Sequence, residues 1–134
     1  MNLSGLSLCC AAMSGLVLTR AALKNSDFSD ADLSFTNLAA ADLSHARLVR
    51  TNLSCAMLIS ASLAHCDLSE ASLRRASLFQ ADLRGALMEG VLLLGADLTG
   101  ADLEGAQFHR AIYDARTRWP DKFDPAAVGA ILKA

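Results

Sequence analysis

A large apolar residue stands at every fifth position from Leu3 to Tyr113, with no insertion to break the series. Leu8, Met13, Leu18 and Leu23 follow Leu3, and Met88, Leu93, Leu98, Leu103, Phe108 and Tyr113 close it, twenty-three positions in all. Two residues before each centre the chain is usually small, as at Ala31, Ala41, Ala61, Ala71, Ala81 and Ala96, with Thr36, Thr51 and Cys66 as near equivalents. The residue between is often Asp, Asn or Ser. No α-helix can use this pattern. Five residues advance a helix by about 500°, so successive centres step by roughly 140° and scatter around the cylinder. A strand can use part of it, because residues two apart face the same side. The next two residues must then turn a corner before the inward pair recurs. A chain that turns after every fifth residue coils, and stacked parallel coils let its backbone groups pair.

Composition sets the bore of such a coil. The chain of 134 residues is 53% apolar but only 5% aromatic, so its core must be narrow and uniform. Fourteen acids against twelve bases give a net charge of −2. That balance offers no electrostatic case for nucleic-acid or acidic-membrane binding. Leu3 to Leu18 is mostly apolar but lacks a basic leader, and the repeat already runs through it, so neither a targeting segment nor a membrane span is expected. Cys9, Cys10, Cys55 and Cys66 show no C-x-x-C spacing, which points to free thiols and a cytoplasmic setting.

The blocks Ala31-Asp32-Leu33-Ser34-Phe35, Ala41-Asp42-Leu43-Ser44-His45 and Ala81-Asp82-Leu83-Arg84-Gly85 resemble the pentapeptide-repeat family, whose consensus is A-(D/N)-L-x-x. The resemblance covers residues 1–115. It implies an all-β solenoid, a right-handed quadrilateral parallel β-helix with four pentapeptides per coil and about six coils in a rod of roughly 27 Å. The register stops at Ala115, so residues 116–134 are expected to cap the rod. Within them Asp124 suits an N-cap and Pro125 a first helical position, which predicts a short α-helix over 126–134, weakened by Gly129. Trp119 and Phe123 are expected to cover the open core end. This tail is similar to the T-x-(W/F)-P-x-x-F-(D/N)-P ending of bacterial, especially cyanobacterial, members. The first coil shows no cap. Met1, Leu6 and Leu16 occupy positions that are small elsewhere, which predicts a wider or frayed coil and leaves a pairing edge.

A 20-residue period turns the sequence into a surface map. Asp27, Arg47 and Asp67 fall in one column and Asp30, Arg50 and Glu70 in another, two expected charge ladders. His45 stacks above His65, but a metal needs more ligands than two imidazoles and no others converge. Gly85, Gly90, Gly95, Gly100 and Gly105 share one corner position, where glycine permits φ > 0. Met57, Ile59 and Phe79 point outward on the fourth face, with Phe35, Leu92 and Leu94 on the face before it, a cluster expected to serve a partner or self-association unless the tail covers it.

No catalytic motif is present, neither G-x-S-x-G nor a phosphate-binding glycine loop, and straight-sided coils offer no deep pocket. No catalytic residue, cofactor, metal, nucleic acid or membrane is therefore expected. The reading is a non-catalytic interaction or scaffold module with an unknown protein partner, and with homodimerisation through the N-terminal coil or the apolar face as the route to self-association. The resemblance supplies an alternative, since some members mimic DNA and bind DNA gyrase, protecting it from quinolones. That role needs a strongly acidic dimeric rod, and here Arg47, Arg50, Arg74, Arg75 and Arg84 interrupt the acids.

Overall fold

The computed structural model describes residues 1–134. Each pentapeptide contributes one bridge residue, an inward centre and a two-residue turn. Bridges join residues twenty apart in parallel, from Asn2 with Ala22 and Ser7 with Asp27 down to Leu92 with Ile112. Four pentapeptides therefore complete one coil. We number the faces by the first coil: face one holds residues 1–5, face two 6–10, face three 11–15 and face four 16–20, each recurring every twenty residues.

The stacking bonds repeat in one register from Leu3 to Leu93. A centre N–H donates to the carbonyl of the bridge residue in the next coil, as from Leu43 to Ser62 at 2.7 Å and from Leu63 to Asp82 at 2.7 Å. Centres and small residues fill one continuous core, in which Leu23 to Leu98 are shielded at every centre and Ala21 to Ala111 line the coil between them. Where the small position holds a hydroxyl, a carbonyl takes it up. Thr36 Oγ1 donates to the Leu33 carbonyl at 2.6 Å and Thr51 Oγ1 to that of Phe28 at 2.8 Å. The buried hydroxyls are thus satisfied.

The polar residue before each centre acts locally. Asp27, Asp32 and Asp42 each accept the backbone N–H two residues on, at 2.9–3.0 Å, and also the hydroxyl of Ser29, Ser34 or Ser44 at 2.6 Å. Asn37, Asn52, Asp67 and Asp97 make the same backbone turn contact. These Asx turns fix the corner that a strand alone would not make. The hydroxyl and amide donors hold the carboxyls of Asp27, Asp32 and Asp42 below the usual carboxylate range.

Corners adopt the left-handed region whatever residue they hold. Phe35, Arg50 and Gln80 sit at φ of 58°, 55° and 57°, beside 67° at Gly85. Glycine is thus not what permits the turn. At Gly85 its missing Cβ has another use, since a Cβ there would lie 2.5 Å from His65 Nδ1.

Two expectations about the ends are corrected. The first coil is not frayed: Leu3, Leu8, Met13 and Leu18 donate to the second coil at 2.7–2.9 Å, while Leu6 and Leu16 remain exposed. The tail contains no α-helix. After Asp114 the register slips by one residue, so that Asp97 bridges Arg118. Thr117 absorbs the extra residue by accepting the Asp114 N–H at 3.0 Å and donating its hydroxyl to the Leu93 carbonyl at 2.8 Å. Leu98 N–H then donates to the Arg118 carbonyl at 2.7 Å, which puts Trp119 at the centre position beneath Leu98. Trp119 stacks on Phe123 at 5.1 Å and meets Phe108 and Tyr113 edge-on at 5.7 and 5.5 Å. Both Trp119 and Phe123 pack against the core. Ala126–Val128 forms one 3₁₀ turn ended by Gly129 at φ 86°. The chain then runs straight, and β2 (Ile131–Leu132) pairs in parallel with β1 (Ile112–Tyr113) as a further rung of face three.

Three outcomes are expected. Leu63→Ala should cost about 2–5 kcal/mol in chemical denaturation, and Leu63→Lys should abolish folding by burying an unpaired charge. Unchanged melting of either would place Leu63 outside the core. Deleting 116–134 should expose Phe108 and the neighbouring core and cause aggregation, read by light scattering. A monomeric truncation of equal stability would mean the aromatic cluster covers nothing that matters. The Asx-turn carboxylates predict an acid limit. Folded pKa values below the reference 3.8 contribute stability that is present above that value and lost as pH falls through the folded values. Melting temperature should therefore hold from neutral pH to about 4 and then drop, with Asp32→Ser and Asp42→Ser flattening the drop.

Candidate interaction surface

The four faces differ in what they show to solvent. Face two carries the expected charge columns, but only half of each closes. Arg50 grips Asp30 with two hydrogen bonds of 2.8 and 3.0 Å, and Arg47 lies 3.8 Å from Asp27. Neither arginine reaches its lower neighbour, Glu70 or Asp67, within 4 Å, so the columns are isolated pairs and not ladders. The paired side chains are well exposed, and such contacts are worth about 0–1 kcal/mol each. Leu87, which the sequence reading overlooked, continues the Asp67 column as a half-exposed apolar residue.

On face one, His45 and His65 stack with ring centroids 5.2 Å apart and planes within 19°. No cluster of three or more His, Cys, Asp or Glu forms around them. The cysteines are unpaired. Cys9 and Cys10 are exposed, Cys55 is half-buried, and burial pushes the Cys66 thiol well up.

The apolar cluster divides. Met57 (44% exposed), Phe79 (38%) and half-buried Ile59 stand together on face four, and Phe35 (66%) occupies the corner that leads into it. Val17, 72% exposed, joins them and was missed. It lies two periods from Met57 in the bridge column Val17, Asn37, Met57, Ser77, and that arithmetic would have found it. Leu92 and Leu94 do not join. Leu94 is only 7% exposed and lines a groove of about 400 Å³ with Arg74, Asp114, Arg116 and Lys133. Leu92 is half-buried in the rung between Ser72 and Ile112. These two belong to the end of face three beside the tail, and they leave the candidate surface.

Charge sharpens the contrast. The face-four segments 16–20, 36–40, 56–60 and 76–80, with the corners before them, hold no carboxylate, and Arg20 and Arg75 are their only charges. The turn residues Ala39, Ile59 and Phe79 form a second column one position from the corner. Asn37 spends its side-chain oxygen on the Ala39 N–H at 3.1 Å. The tail enters face four only below this region, where Arg118 bridges Asp97. The apolar strip is therefore open along four coils.

Comparisons with known proteins place this geometry. The family model for pentapeptide repeats matches eight copies over residues 2–34, 36–75 and 76–112. No curated protein matches. Among solved structures the chain is similar to HetL, a pentapeptide repeat protein involved in heterocyst differentiation regulation in the cyanobacterium Nostoc sp. strain PCC 7120, with 36% identity and a TM-score of 0.82. That match covers 98% of this chain and 60% of HetL, so the chain spans under two thirds of that relative. The pentapeptide repeat protein alr5209 of Nostoc PCC 7120 is 32% identical, with 90% of this chain and 99% of that one covered and a TM-score of 0.44. QnrB1, a plasmid-mediated fluoroquinolone resistance protein, aligns at 21% identity over 87% of this chain and 64% of its own, with a TM-score of 0.35, which carries no functional argument. With its matched repeats, four-sided 20-residue coils and right-handed quadrilateral β-helix, this chain belongs to the pentapeptide-repeat family.

Proposed function

We propose that the chain is a non-catalytic scaffold that binds another protein through face four. One observation carries the reading. Val17, Phe35, Met57, Ile59 and Phe79 line one side of a straight rod, uncovered by the tail and uninterrupted by any carboxylate. Scattered exposed apolar residues are ordinary, but several of them gathered on one face of a repeat protein mark a binding surface. A partner covering it gains about 25 cal/mol per Å² of apolar surface removed from water. The rod needs no rearrangement to receive it, because every face-four strand of the strip is already bonded into the stack, the first to the coil below it and the others to coils on both sides.

Nothing specific favours the gyrase-directed alternative. Its premise is a strongly acidic surface, whereas arginines sit against carboxylates at Arg47, Arg50, Arg84 and Arg110. Four free thiols suit a reducing, cytoplasmic compartment.

The test is the double substitution Ile59→Asp with Phe79→Ser. Both side chains point away from the core, so circular dichroism and melting should stay within about 1 kcal/mol of the parent. Pull-down from the source organism should lose a partner that the parent retains, and light scattering on both proteins reports whether that partner is a second copy. An identical captured set and identical oligomeric state would mean the strip is incidental.

A further inference from the structure

We infer that the partner segment seated on face four is acidic, presenting apolar side chains flanked by carboxylates. The inference rests on the reading of face four as the interaction surface and adds the chemistry of what it receives. Five of the arginines, Arg47, Arg50, Arg84, Arg110 and Arg116, have a carboxylate within 4 Å. Arg20, Arg74, Arg75 and Arg118 have none. Of these four, Arg20 and Arg75 edge the apolar strip, Arg20 at the far corner of face four in the first coil and Arg75 at the near corner in the fourth, while Arg74 lines the groove beside the tail and Arg118 bridges Asp97 below the strip. The strip thus has an uncharged centre with one free guanidinium at each of two opposite corners.

The imbalance is local. The chain as a whole carries two more acids than bases, yet the segments 15–20, 35–40, 55–60 and 75–80 carry two bases and no acid. Interfaces commonly exclude charge from the centre and place arginine where it can grip a partner's carboxylate. The arrangement also disfavours a second copy on this face. A two-fold contact brings the same patch to itself, so Arg20 and Arg75 would meet a surface with no carboxylate and only further arginines. An acidic, apolar partner segment supplies what both corners lack. The three bridge-column positions Val17, Met57 and Ser77 and the turn positions Ile59 and Phe79 would take its apolar side chains between them.

Selection of a displayed random twelve-residue peptide library on the immobilised full chain tests this without knowing the natural partner. Peptides are kept if binding is lost on the Ile59→Asp/Phe79→Ser protein. The kept set should be enriched in Asp and Glu beside aromatic or aliphatic residues. For these peptides Arg20→Glu with Arg75→Glu should weaken binding about tenfold at low salt, and the difference should shrink in about 0.5 M NaCl. Selection on the charge-reversed protein should turn the enrichment to Lys and Arg. A kept set that is neutral or basic, or that ignores the charge reversal, overturns the acidic partner and leaves face four standing. A selection whose peptides bind the Ile59→Asp/Phe79→Ser protein equally, or that enriches nothing, overturns both. Circular dichroism of each variant separates lost binding from lost fold.

Discussion

Backbone hydrogen bonding between coils twenty residues apart is the interaction on which the rest of this protein depends. No strand here is long enough to stand alone, since each contributes a single bridged residue before the chain turns. The turn itself is unfavourable. Holding a non-glycine residue in the left-handed region costs roughly 1–2 kcal/mol, and Phe35, His45, Arg50 and their equivalents all accept it. The compensation is collective. Once one coil is laid, every turn in the next finds its N–H and C=O partners in place, and every leucine finds the leucine beneath it. Stability of this kind is additive along the rod and vanishes for a coil in isolation.

The same constraint explains what was legible in the sequence. Twenty-three centres in unbroken phase leave the fold class no freedom, and the map of faces follows from counting by twenty. Met57, Ile59 and Phe79 could be grouped that way because stacking is strict. Leu94 could not be read so simply. It is buried and lines a groove with Arg74, Asp114, Arg116 and Lys133, where the tail meets face three, and the repeat does not describe the tail. The helix expected after Pro125 failed for a related reason. Asp124, Pro125 and an alanine-rich run have real helical preference, but a segment this short gains little from it. The rung at Ile112 and Tyr113 offered the carbonyls of Ala111 and Tyr113 within reach, and the Ile131 and Lys133 N–H groups donate to them at 2.7 Å after a single 3₁₀ turn. A ladder bond prevailed over local propensity.

Acidic residues in this chain illustrate how a repeat can mislead about function. A column of aspartates looks like a negative surface, yet the carboxylates of Asp27, Asp32 and Asp42 are committed to turn amides and serine hydroxyls within their own pentapeptide. Their role is to shape the corner, and any field they cast is secondary. The informative electrostatic feature is the opposite one, the absence of such residues from the first four coils of face four, above Asp97, where Asn37 alone keeps the turn contact in a neutral form. Ala39 and Met57 then sit where other faces carry charge.

All four sides of the coil share one backbone geometry, so a pentapeptide is interchangeable as structure but not as address. A duplication of twenty residues lengthens the rod and leaves each column aligned. A duplication of five inside the helix would satisfy the same bonds, yet it would turn everything downstream by a quarter of a revolution. Phe79 would then move off the column of Ile59, and the strip would be divided between two sides of the rod. The surface of such a molecule can therefore be reshuffled by slippage during copying, without a single substitution and without passing through an unfolded intermediate form.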